Sequence, residues 1–299
     1  MTDSVVGILV VGLAGLLLAV TLRVRQIPTF SLVLLSRWLR WILFGFGMAY
    51  LARLWFESDR PYWALAPSFL LLWILIESVY TWLVVRALSL SNIPVYPSYR
   101  STDREVTWPV ARDYLRIKDE IHSLGFEVRS SLSADLSGEI EMGSILYLNK
   151  DGNIRLQVIF APRATGRPAV FCVYSSYSVN NRWVTDNAWL PHGGVFPEEW
   201  NVLRKPFNGS PKALLGIHRK ELEQAKEDLG KFVEDPEELI DQLNEEQGVL
   251  DRESTEKGIL FPRGMRPELG KLTGDGRYRV WKQILLLNYL GRVGKEAAK

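Results

Sequence analysis

The sequence predicts a membrane-anchored α+β protein. Three N-terminal transmembrane helices precede a soluble domain whose antiparallel sheet, of about five strands, is packed by helices. Three observations carry this. Apolar runs at 4–22, 38–56 and 62–85 can each cross a bilayer, since roughly 20 residues cover a core of about 30 Å. Beyond Arg100 the composition becomes that of an ordinary globular domain of about 200 residues, enough to bury a core. Within it, segments of two-residue alternation lie between segments of helical spacing.

The first run carries no charge, and no basic residue precedes it as in a secretory signal. Arg23 and Arg25 follow it, so the positive-inside rule places the N-terminus outside, with cleavage not expected. Gly15 and Ala19 are four apart, as are Gly45 and Ala49, a spacing that lets helix backbones approach closely. Pro28 interrupts the link to the second run. Phe30–Leu35 is apolar but too short to span, so it lies at the cytoplasmic interface or extends the second helix. Arg37 and Arg40 share one helix face and snorkel, while Arg53 near the opposite end runs against this orientation.

The third run contains one acid, Glu77, about 13 Å from Arg86 along a helix. A carboxylate at that depth needs a partner. In a hairpin centred on Asp59, Glu77 comes level with Trp41, so an Arg40–Glu77 ion pair is expected; the functional alternative is a proton or ion site. Trp41, Trp55, Trp63 and Trp82 fall near the helix ends, where amphipathic rings favour headgroups. Glu57–Pro61 is then an external loop, and everything from Arg86 onward is cytoplasmic.

Residues 1–86 thus form the membrane region and 87–106, with Pro94 and Pro97, a linker; 107–250 form the α+β domain, and 251–299 a basic loop with an apolar C-terminal helix. The domain opens with a helix capped by Thr107, with Pro109 in its first turn and Gly125 as its stop. Val110, Tyr114, Ile117, Ile121 and Leu124 make its apolar face. Strands follow around Phe126–Leu132 and Ile140–Leu148, with a hairpin turn at Asn149–Gly152. Ile154, Leu156, Val158 and Phe160 alternate with polar neighbours, and 169–177 pairs with 182–189 around Asn180-Asn181. Ser210-Pro211 starts a helix running to Leu229, and Asp235 caps one ending near Gly248. Residues 252–276 read as loop and Tyr278–Leu290 as a short helix, with the helices covering one face of the sheet.

A net charge of +2 gives no footprint for nucleic acid or an acidic substrate, and the segments lack nucleic-acid motifs. The lone Cys172 excludes an internal disulfide, fits a reducing compartment and reads as a buried, inert thiol. No phosphate loop, serine elbow, zinc motif or calcium loop is present, and no cofactor or metal is expected. Asn149, Asp151 and Asn153 alternate as in a calcium loop, but Ile154 replaces the required glycine. His192-Gly193-Gly194 is similar to the oxyanion loop of some esterases, without a matching serine. An enzyme would therefore use His192 with Asp186, Asp135 or Glu139 on a lipid-linked or small substrate. Asp186 and Trp189 could also help form a ligand pocket. His218 reads as a hydrogen-bonded core residue and His122 as a helix C-terminal one. Asn208-Gly209-Ser210 fits a glycosylation acceptor, which matters only outside the cell.

Charge is patterned. An acidic helical pair, 221–246, precedes a basic tail from Arg252. The two either attract each other, or Arg277, Arg279, Lys282 and Arg292 lie on anionic lipid. The expected role is a binding or scaffold module at the bilayer for an unidentified protein; the alternatives are the enzyme and a small-ligand sensor with a pocket between sheet and helices.

Overall fold

The computed structural model describes residues 3–27, 29–57, 59–102, 106–136, 140–163, 167–189, 195–265 and 267–291. Its N-terminal part is three helices, α1 (Asp3–Gln26), α2 (Phe30–Phe56) and α3 (Tyr62–Leu90), each long and apolar enough to cross a membrane. Phe30–Leu35 extends α2, and α3 continues to Leu90 because nothing breaks it before Ser91. Gly45 is where a hydrogen is required: a Cβ there would lie 2.5 Å from Leu70 Cδ2. Ala49 packs with Val6, Tyr62 and Ala66 in one buried cluster, so the Gly45/Ala49 face does let helices close up. Among the described residues Gly15 has no atom within 4 Å of its would-be Cβ, and Gly15 and Ala19 are exposed.

The domain is built on a seven-stranded mixed sheet in sequential order: β1 (Tyr99–Ser101), β2 (Glu127–Asp135), β3 (Glu141–Leu148), β4 (Arg155–Ala161), β5 (Ala169–Tyr177), β6 (Arg182–Asp186) and β7 (Trp200–Arg204). The expected five-stranded antiparallel meander is β2 to β6; the count is corrected to seven by one extra strand at each edge. β1 has three residues inside the proline-bearing linker, and Asn244 clamps it by accepting from Tyr99 N at 2.7 Å and donating to Tyr99 O at 2.9 Å. β7 pairs parallel with β6, so the sheet is not purely antiparallel. Its five residues show no clean alternation of burial.

Helices cover both faces of the sheet, not one. On one face Ile145, Tyr147, Leu156, Val158, Cys172 and Tyr174 pack under α4 (Arg112–Ser123) and α5 (Pro211–Ala225). On the other, Leu132, Ala134, Met142, Leu146 and Leu148 meet Leu239, Ile240 and Leu243 of α6 (Pro236–Glu256). α4 begins later than expected, with Ala111 extended at its N-cap and Val110 91% exposed. Gly125 has φ +79° and ends it, with Phe126 buried behind. Ser210 Oγ and Asp235 Oδ1 cap α5 and α6 as their sequences imply. α5 ends early, at a left-handed Lys226, while α6 continues through Gly248.

The last helix, α7 (Gly274–Leu290), is longer than expected because Thr273 Oγ1 accepts from Gly276 N and starts it early. It packs on α3 and α2: Trp281 Nε1 donates to Ser78 O at 3.0 Å and Trp38 Nε1 to Tyr289 O at 3.1 Å. Ser89, at the end of α3, takes Lys271 N on its carbonyl and Leu272 N on its hydroxyl, both at 3.0 Å. The domain is therefore docked on the helices, not merely tethered to them.

His218 is fully buried on α5, with Nδ1 2.9 Å from Thr185 Oγ1 and Nε2 3.1 Å from Ser176 Oγ. Burial, with a smaller push from Arg219, pulls its pKa from 6.5 down to about 4. The unfolded chain binds this proton first on acidification, so the contribution is complete above about pH 6.5 and lost as pH falls toward 4, roughly 3 kcal/mol in all. Melting temperature measured from pH 7.5 to 4.5 should fall less steeply in His218→Gln than in the parent; parallel curves would refute the assignment.

Candidate functional site

A cavity of about 580 Å³ lies where the domain meets the turn between α1 and α2, within the range of small-molecule sites. Ile27, Thr29, Phe30 and Ser31 form the wall on the side of the N-terminal helices. α4 supplies Asp113, Arg116, Ile117 and Glu120, one helix face at three- and four-residue spacing. Val170 and Cys172 come from β5, Asn187 and Trp189 from beyond β6, and Phe207 and Ser210 from the loop leading into α5.

Aromatic packing fixes the apolar side. Phe30 meets Phe207 edge-on at 4.7 Å and Trp189 at 6.2 Å, and Trp189 rests edge-on against Phe171 at 5.5 Å. These rings join α2 to two domain loops. Hydrogen bonds fix the polar side. Asn187 Oδ1 accepts from Cys172 N at 2.8 Å and its Nδ2 donates to Asn208 O at 2.9 Å. Glu120 Oε1 accepts from Ser210 Oγ at 2.5 Å and Lys212 N at 3.0 Å, tying α4 to the start of α5. Cys172 is 2% exposed, and burial pushes its thiol up to about 12, so it offers no thiolate at neutral pH.

Other residues singled out from the sequence fall elsewhere. Asp186 is 2% exposed and fully engaged: Oδ1 accepts from Ala188 N at 2.9 Å and Arg204 Nε at 2.8 Å, and Oδ2 from Arg204 Nη2 at 3.1 Å. Its ion pair with Arg204 links the parallel strands β6 and β7 and holds the carboxylate in a structural role. Asp135 ends β2, four strands from β6 and so at least about 19 Å away at about 4.8 Å per strand. The two carboxylates do not converge. His192 and Glu139 lie outside the described residues, as does Arg292. Trp189 does line the cavity, and the neighbour of Asp186, Asn187, takes the place expected for the acid. Among the described residues no three His, Cys, Asp or Glu side chains gather as a metal-binding group.

The expected Arg40–Glu77 pair is corrected to Arg37–Glu77, at 3.0 Å. Arg40 instead donates to Ser36 O at 3.2 Å and Ser36 Oγ at 3.3 Å. The cause is register: Trp41 donates to Leu70 O and Gly45 lies against Ala66, an offset of about one helical turn from a hairpin centred on Asp59. In α7, Arg279 pairs with Asp275 at 2.8 Å, Arg277 Nε donates to Thr273 O at 3.4 Å, and Lys282 is exposed. The buried side of that helix, Val280 with Trp281 and Ile284, packs with Val85 of α3.

Phe30, Phe207 and Asp113 were not legible as site residues. The sequence signal is weak: Phe30 opens the short apolar stretch expected either at the interface or as an extension of the second helix. Comparison with family models, curated proteins and solved structures finds no match to this chain.

Proposed function

We propose that this protein is a membrane-anchored binding module that takes a small amphipathic ligand at the inner membrane surface. One observation carries the reading: a single cavity is walled jointly by the α1–α2 turn and by the domain. Its apolar rings continue the surface of α2, while its carboxylates and amide come from the domain. A ligand with a greasy body and polar head fits such a divided lining.

The proposed topology puts α1, α2 and α3 across the bilayer, the N-terminus outside and the domain in the cytoplasm. Arg23 and Arg25 at the cavity end of α1 favour this. So do the tryptophans. Trp55 and Trp63 are 72% and 79% exposed at the far end, and Trp82 lies about 28 Å along α3 from Trp63. Two aromatic belts a bilayer apart suit an aligned span. A protein-docking role has less support, because the most exposed apolar residues beyond Arg100, Val179, Val110 and Met265, sit in separate loops.

Phe207 is 55% exposed, so Phe207→Glu is tolerable for folding yet puts a charge into the apolar wall. Titration of the full-length protein with a twelve-carbon amphiphile should show at least about ten-fold weaker binding in this variant, about 1.4 kcal/mol. Equal binding refutes the cavity reading. Digestion of the region beyond Arg100 by protease added outside intact cells refutes the topology.

A further inference from the structure

We infer that the head of the ligand held in the junction cavity carries a protonated amine. This rests on the cavity reading and narrows its chemistry. Two carboxylates, Asp113 and Glu120, line the cavity from α4, against one cation, Arg116. Arg116 is exposed, so among the charged lining residues the two carboxylates are the more withdrawn from solvent. Asp113 takes no hydrogen bond or ion pair from any described residue. Glu120 spends Oε1 on Ser210 and Lys212, and Oε2 accepts no hydrogen bond from a described residue. The same cavity is lined by the rings of Phe30, Trp189 and Phe207, and aromatic faces attract cations electrostatically. An ammonium satisfies both walls at once. A sulfate or carboxylate head would meet like charge from the acids and the negative faces of the rings.

The ammonium could belong to an aminophospholipid headgroup reaching down from the bilayer or to a free long-chain amine. Only the headgroup brings a phosphate, and Arg116 at the rim is the residue to hold it.

The test uses full-length protein in nanodiscs of phosphatidylcholine, titrated below the micellar range with dodecylamine, dodecanol or dodecyl sulfate. Dodecylamine should bind at least ten-fold more tightly than the other two, and Asp113→Asn should abolish the preference. The unliganded melting temperature of Asp113→Asn, unchanged from the parent, shows that the variant is folded. If dodecanol or dodecyl sulfate binds as well as the amine, the amine inference is overturned while the cavity reading stands. If none binds, the cavity reading falls with it. Native mass spectrometry after exchange into nanodiscs containing phosphatidylethanolamine separates the sources: retention of that lipid by the parent and its loss in Arg116→Gln identify the headgroup, whereas dodecylamine binding without lipid retention identifies the free amine.

Discussion

Glu246→Ala is expected to destabilise the domain by about 3–5 kcal/mol. Glu246 on α6 bonds Arg155 of β4 through Oε2 and Arg182 of β6 through Oε1, each at 2.5 Å. The side chains are 13%, 3% and 15% exposed respectively, so one carboxylate neutralises two guanidinium groups largely withdrawn from water. Arg155 also lies over the Phe232 ring at 4.9 Å and Arg182 over Trp200 at 4.8 Å, contacts that position the cations but cannot neutralise them. Burial pushes the Glu246 carboxyl up, yet Arg155 and Arg182 together outweigh it and hold it below its usual value of 4.5. Its contribution is therefore complete above that value and is lost as pH falls through the lower, folded one. Removing it leaves two charges facing each other in a poorly solvated space. Denaturant unfolding of the full chain at neutral pH should report the loss. The combined change Arg155→Met, Glu246→Leu, Arg182→Met should recover most of it, because the desolvation cost leaves with the charges. A loss below about 1 kcal/mol in Glu246→Ala would mean that water reaches the triad and that α6 is not pinned by it.

How far the sequence reveals this molecule depends on the distance over which each feature is written. The apolar helices depend on a local property, and their existence and order could be read directly; only their ends moved. β4 could be read because Leu156, Val158 and Phe160 alternate in their own strand. Capping was local too, with Ser210 and Asp235 each accepting from amides two or three residues ahead. The edge strands were not legible: β1 exists because Asn244, far along the chain, holds Tyr99, and β7 because Asp186 holds Arg204. The triad escaped for the same reason, since Glu246 looked like one more acid on a solvated helix. At the cavity, Trp189 stood out as an aromatic beside an acid, but Phe30 and Phe207 become neighbours only through docking of the domain on α2. The Glu77 partner shows the intermediate case. The need for a nearby arginine follows from burying a carboxylate, while the choice between Arg37 and Arg40 depends on a one-turn register that a hairpin drawn from loop length misses.

Glu77→Ala should release α7 from α2 and α3 at a cost of about 2 kcal/mol, the low end of the range for truncating one partner of a hydrogen-bonded charge pair, because this pair is only partly buried. Three donors converge on this carboxylate: Arg37 Nη1 and Trp73 Nε1, each at 3.0 Å, and the Tyr289 hydroxyl from α7. Its side chain is 17% exposed, and the Arg37 side chain 32%. Alanine leaves all three donors without their acceptor in a partly buried site, so the penalty exceeds the loss of any single bond. Tyr289→Phe removes only the link to α7 and should cost about 1 kcal/mol. Amide exchange distinguishes a clamp from mere packing. In Glu77→Ala, protection should fall across α7, while α5, which touches none of these groups, keeps its own. Glu77→Gln should lie between, since an amide oxygen still accepts but no longer balances Arg37. Were Glu77 instead a proton-carrying site, Tyr289→Phe would leave α7 exchange unchanged and Glu77→Gln would be structurally silent. Three donors from three places in the fold favour the clamp, because the one carboxylate ties α2, α3 and α7 together through Arg37, Trp73 and Tyr289.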